Sequence, residues 1–204
     1  MGHPLPGPRL MSGHFEALPD GGAAVPLDEV EVSILRSLAV QMLELIGPGD
    51  EPAQGEDPLA ALFQEGPSEK PSDPALARLF PDAYGDGDER LREASAEFRR
   101  FTENDLRTRK REDALAVVRS LDALASAGDG SGGGRLELSP EECRRWLGAL
   151  NDLRLTIGAR LEVTDEDENA DLYRLPDSDP RKPMVMAYLW LGALQETLVE
   201  TLMA

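Results

Sequence analysis

Two histidines, one cysteine and a surplus of carboxylates are the side chains from which this chain would have to build chemistry. His3 and His14 fall in a Pro/Gly-rich leader and the first apolar segment, so imidazole relays for acid-base or nucleophilic work have little to draw on. Cys143 follows a helix start, on an apolar stripe, where a free cysteine most often packs as a small hydrophobe. A redox-sensing thiol is the other reading, because a helix N-terminus lowers a thiol's pKa; Glu141 and Glu142 push it the other way. One cysteine cannot form an internal disulfide or a multi-cysteine zinc site.

The acidic run from Asp165 to Asp171 spaces oxygen ligands like the start of a calcium loop. Ala170 and Pro176 then stand where such a loop needs glycine and a bidentate glutamate, so the run reads as a solvated loop. Gly128 to Gly134 lacks the Gly-Lys-Ser/Thr of a phosphate loop and reads as a linker. The expectation is a non-catalytic chain with no catalytic, cofactor-binding or metal-binding residue. The rival is a metal-dependent hydrolase built on clustered carboxylates.

Arg99, Arg100, Arg107, Arg109, Lys110 and Arg111 form the one basic concentration, interleaved with Glu97, Glu103, Asp105 and Glu112. Pairing along a helix surface accounts for them first; a docking patch for a protein partner comes second. With 39 acidic against 21 basic residues, the net charge of −18 repels phosphate backbones and anionic lipid at long range. Direct DNA binding is therefore the rival reading, and no membrane partner is expected. The partner-binding candidates are Arg99, Arg100, Asp105 and Arg107, together with Asn151, Asp152 and Arg154 further on. Reversing Arg100 and Arg107 is expected to weaken partner capture and leave thermal stability nearly unchanged.

These side chains need helices to carry them. Ser139-Pro140-Glu141-Glu142 is a capping box with proline in the first turn. Cys143, Trp146, Leu147, Leu150, Leu153, Ile157 and Leu161 then recur at helical spacing. A second helix, from about Arg181 to the end, carries Val185, Tyr188, Leu189, Leu191, Leu194, Leu198, Val199 and Leu202 on a broader apolar face and is expected to be the central core helix. Its apolar run is too short to span a bilayer, which takes about 20 residues. Asp28 opens a helix to about Ile46 with Val30, Ile34, Leu35, Leu38, Met42, Leu45 and Ile46 buried; Asp57 to Gln64 and Ser72 to Leu79 are shorter helices. Asp88 to Ser126 is helical throughout or broken once near Asn104 to Arg109, with Leu91, Phe98, Phe101, Leu106, Leu115, Val118, Leu121 and Leu124 as its packed side.

Phe15 to Leu18 and Ala23 to Leu27 flank the turn Pro19-Asp20-Gly21-Gly22 and read as a hairpin; Arg135 to Leu138 adds a short strand. The fold class is mainly α: a helical bundle with a small N-terminal β-hairpin. Residues 1–13 read as a flexible leader, and 14–204 as one helical domain with loops at 47–58, 66–74, 128–134 and 164–180. Met11 is a second candidate for the natural start. Single-cysteine usage and the absence of a charged-then-apolar leader point to the cytoplasm.

Five stretches together resemble the actinobacterial oxidative-stress regulator (AosR) family: Glu31 to Leu38 after the hairpin, Asp73 to Tyr84, Phe98 to Arg107, Trp146 to Arg160, and Tyr188-Leu189 with Leu194 to Leu198. The likeness runs from about Phe15 to Met203, and none of it is a catalytic signature. It implies a regulator that acts through protein partners, including extracytoplasmic-function sigma factors, to raise cysteine biosynthesis under oxidative stress. The redox control it implies uses paired cysteines, and here the chain departs, with Cys143 alone. A homodimer sealed by the last helix is compatible with the same reading.

Overall fold

The computed structural model describes residues 13–48, 65–85, 87–127, 132–163 and 174–204. The leader up to residue 12, the expected helix at Asp57 to Gln64 and the acidic run at Asp165 to Asp171 lie outside the described residues. The elements, in chain order, are β1 (Glu16–Ala17), β2 (Ala23–Leu27), α1 (Glu29–Ile46), α2 (Pro74–Leu79), α3 (Glu89–Ala127), β3 (Gly134–Leu138), α4 (Pro140–Arg160) and α5 (Lys182–Met203). The mainly helical class with a small N-terminal hairpin is what the structure has.

Local chemistry starts each helix. The Asp28 carboxylate accepts from the Glu31 N–H at 2.8 Å, and Glu31 accepts from the Asp28 N–H at 2.9 Å, closing a capping box at the head of α1. Gly47, at φ 86°, ends that helix in a backbone conformation that side chains resist. Ser139 and Glu142 form the expected second box on α4. Asp73 caps α2 by accepting from Ala75 and Leu76.

The hairpin closes through Gly21, whose N–H donates to Leu18 O at 3.0 Å. Strand β3, which the sequence placed only as an isolated piece, joins it. It pairs antiparallel with β2 from Ala23↔Leu138 to Leu27↔Gly134 and makes a three-stranded sheet in the order β1-β2-β3. Leu136 and Leu138 point inward while Arg135 and Glu137 face out.

The centre is α4 rather than α5. It touches α1, α2, α3, α5 and β3, and it buries Cys143, Trp146, Ala149, Leu150, Leu153 and Ile157. Trp146 is wholly buried, edge-on to Phe15 with centroids 6.1 Å apart, and its Nε1–H donates to Ser120 Oγ at 3.3 Å. Burying large apolar side chains of this kind contributes about 1.5–3 kcal/mol each. Helix α5 packs on one flank through Val185, Trp190, Leu191, Leu194 and Leu198 and leaves Met184, Leu189 and Leu202 exposed. Among the described residues no helix is long and apolar enough to cross a membrane. The first strand is stitched to this last helix: Phe15 N–H donates to Thr197 Oγ1 at 3.1 Å.

On α1 the buried line is Val32, Leu35, Ala39, Met42 and Ile46; Ile34 and Leu38 pack beside it, and Val30 is exposed. Helix α3 is continuous over 39 residues, the unbroken of the two alternatives for Asp88 to Ser126. The i,i+4 ion pairs Arg99–Glu103 and Glu103–Arg107 run into the doubtful stretch and hold it helical. Its second half buries Ala114, Val117 and Leu121, and its first half buries Ser95, Arg99 and Glu103. Leu91, Phe98 and Phe101, expected on the packed side, are exposed.

Candidate protein-contact surface

The first half of α3 is seated by a polar knot. Arg99, only 4% exposed, donates to Asp82 Oδ1 at 2.8 Å, to Phe80 O at 3.0 Å and to Glu103. Burial opposes its charge, yet hydrogen bonds to Asp82 and Glu103 outweigh that and raise the guanidinium's pKa. The same Arg99 bond holds the Asp82 carboxyl below its usual range against burial, and Lys70 at 3.1 Å adds to the effect. Glu103 also accepts from Arg107 Nε and Nη2 at 2.9 and 2.7 Å.

Arg107 and Arg111 then complete another element. Arg107 lies 4.4 Å over the Phe80 ring and donates to Ile46 O at 2.7 Å, while Arg111 donates to Leu43 O and Gly47 O. Ile46 O and Gly47 O lie at the C-terminal end of α1, where carbonyls run out of helical partners, and Leu43 O already accepts from the Gly47 N–H; α1 has no basic residue in its own last turn. The basic concentration thus mostly works inside the molecule. Arg99 is consumed in the knot, and Arg107 is part of the α1 cap, so its reversal cannot leave stability unchanged.

Two of the α3 candidates do face solvent. Arg100 pairs with Glu65 at 3.3 Å and lies 4.9 Å over the Phe101 ring, with its side chain 42% exposed. Asp105 is exposed and makes no ion pair with a described residue.

On α4 the three candidates separate. Asp152 is buried and accepts from Lys110 Nζ at 2.6 Å, tying α4 to α3. Asn151 is exposed on the rim of an open trough of about 760 Å³ between α2, α4 and α5, which Lys70, Arg78, Arg154 and Tyr188 also line. Arg154 lies 5.3 Å over the Tyr188 ring and donates to Gln195 Oε1 at 2.6 Å. A second open groove of about 680 Å³ shares Arg154 and Tyr188 and continues past Gln195 to Glu200.

Cys143 is sealed in the core, its Sγ 3.8 Å from Leu138 O, and burial pushes its thiol pKa up. That is the setting of a packing residue, because oxidants attack an accessible thiolate. Among the described residues no group of three or more His, Cys, Asp or Glu is placed to hold a metal ion.

The residues that sequence reasoning missed as a surface are Leu91, Phe98 and Phe101. Their helical spacing is that of a buried stripe, and only the polar quartet Ser95, Arg99, Glu103 and Asp82 turns a different face inward.

Residues 12–202 match a family described as a domain of unknown function, DUF2017. Proteins of Mycobacterium bovis and Mycobacterium tuberculosis named "Oxidative stress regulator AosR" are 33% identical over 184 residues, spanning 85% of this chain and 78% of theirs. The chain belongs to the AosR family. A Mycobacterium leprae relative is 32% identical over 185 residues, covering 85% of this chain and 79% of its own. No solved structure matches. The relatives' name supports a regulatory role for AosR-family chains such as this one.

Proposed function

We propose that this chain is a non-catalytic regulator of the oxidative-stress response, working in the cytoplasm by contact with a sigma factor or another transcription component, with cysteine biosynthesis as the output. The observation that carries this is the kinship with named oxidative-stress regulators over 85% of the chain. The geometry is in keeping with it. Asp105 on α3 and Asn151 on α4 are exposed, Arg100 reaches solvent while paired with Glu65, and Arg154 lines an open groove, while Arg99, Arg107 and Asp152 hold the scaffold beneath them. The net charge of −18 favours a protein partner over nucleic acid, whose phosphates it repels.

The test is affinity capture by the tagged full chain from reduced and oxidised lysate, read by mass spectrometry for sigma factors and RNA polymerase subunits. Specific enrichment of one of these is the expected result. A salt-sensitive mobility shift of promoter DNA by the purified chain, with no protein captured, would replace this reading with direct DNA binding.

A further inference from the structure

We propose that the outward face of α3 around Phe98 and Phe101 docks an amphipathic helix of a basic partner protein, a specification that rests on the protein-contact reading above. Leu91, Ala94, Phe98 and Phe101 follow one another at spacings of three, four and three, which places them within roughly 80° of the helix circumference. Phe98 is 49% and Phe101 59% exposed, and large apolar side chains grouped on one exposed helix face are what an interaction site presents. The stripe cannot roll inward. Ser95 exchanges hydrogen bonds with the Tyr84 backbone, and Arg99 and Glu103 are locked in the knot, so the polar face of α3 is held down and the aromatic face is held out.

The surroundings suit a helix with a protruding side chain. Tyr84 stands edge-on to Phe98 with centroids 6.4 Å apart and widens the apolar surface. Beside them opens a cleft of about 210 Å³ lined by Pro81, Ala83, Phe98, Thr102 and Leu106, where a large apolar residue of the partner would seat.

Charge decides the occupant. Glu97 borders the stripe and Asp105 lies in line with it, and neither pairs with a described residue. Arg100 and Arg92 are already engaged, by Glu65 and Glu89, which leaves Arg90 as the cation at the N-terminal end and Arg109 one turn beyond Asp105 at the other. With −18 on the whole chain, the complement is an apolar seam flanked by Lys or Arg. A second copy fits less well. The symmetric spacing would match Leu91 with Phe101 of an antiparallel copy, but it would also bring Glu97 against Glu97 between two strongly anionic bodies.

The experiment is calorimetric titration of the full chain with two synthetic three-heptad helical peptides that share a leucine seam, one flanked by lysine and one by glutamate. The lysine peptide is expected to bind at least about tenfold more tightly, and the Phe98→Glu/Phe101→Glu variant to lose about 30-fold of that affinity at an unchanged melting temperature. Equal binding of both peptides, no binding of either, or undiminished binding by the variant would overturn the proposal. If the variant melts early, photo-crosslinking from p-benzoylphenylalanine at position 101 in cells replaces it. A crosslink to a Lys/Arg-flanked apolar helix of another protein supports the site, whereas a crosslink to a second copy, to an acidic segment or to nothing overturns it. Failure here while sigma-factor capture persists would sink this surface alone; loss of that capture from the wild-type chain would sink the protein-contact reading itself.

Discussion

Lys110 on α3 and Asp152 on α4 meet at 2.6 Å with their side chains 14% and 4% exposed, so these two core helices are joined by a buried ion pair. Such a pair offsets its own desolvation only while both partners are present. Asp152→Ala should lower stability by about 3–5 kcal/mol in urea titration, because the Lys110 charge is left without its partner. The double variant Lys110→Met/Asp152→Leu should recover most of that loss. A double variant no better than Asp152→Ala would mean that the carboxylate has a second role.

Arg107 and Arg100 sit close in sequence and should behave differently. Arg107→Ala removes charged donors to Glu103 and to the Ile46 carbonyl, an expected cost of about 1.5–3 kcal/mol per hydrogen bond. Arg100→Glu alters an exposed pair and should shift stability by no more than about 1 kcal/mol. Thermal melts of the two single variants separate the scaffold role from the surface role.

Acid should unfasten the polar knot. The Asp82 carboxyl titrates below its usual range when folded, so the unfolded chain takes up its proton at the higher pH. The stability this group contributes is therefore fully present above the ordinary aspartate pKa of about 3.9 and is lost as pH falls through the folded value. Asp82→Asn should flatten the acid limb of a stability-against-pH curve relative to wild type. An unchanged acid limb would remove Asp82 from the account.

Asp113 has the opposite sign. Burial pushes its pKa up, against the nearby charges of Arg109 and Arg145, so its ionised form weighs against the folded state at neutral pH. Asp113→Asn should raise the urea midpoint at pH 7 (about neutral), and the gain should shrink as pH falls through the raised folded value, where the native carboxyl is itself protonated. A loss of stability at neutral pH would contradict this.

Cys143 should stay silent in the native protein. With the thiol buried and its pKa raised, an aromatic disulfide reagent should label it only after denaturation, and brief peroxide exposure should add no mass to the peptide that carries Cys143, whatever it adds at exposed Met184 and Met203. Rapid native labelling would reopen a redox role for this residue.

The amino-acid sequence by itself determined what is decided within one or two turns of chain. Asp28 with Glu31 and Ser139 with Glu142 start their helices because cap and partner are three residues apart. Gly21 marks the turn that closes the hairpin. The apolar spacing on α4 marks its buried side, Cys143 included, and a lone cysteine rules out an internal disulfide in any fold. Tertiary structure decided the rest. Leu91, Phe98 and Phe101 have the spacing of a core stripe, yet they face out because Arg99 finds Asp82 and Phe80 O, groups 17 and 19 residues away. Arg107 and Arg111 become caps for α1 across 61 to 68 residues, and β3 joins a hairpin more than a hundred residues before it. Helical periodicity shows which residues share a face. Which face is buried depends on groups that only the folded chain brings within hydrogen-bonding reach.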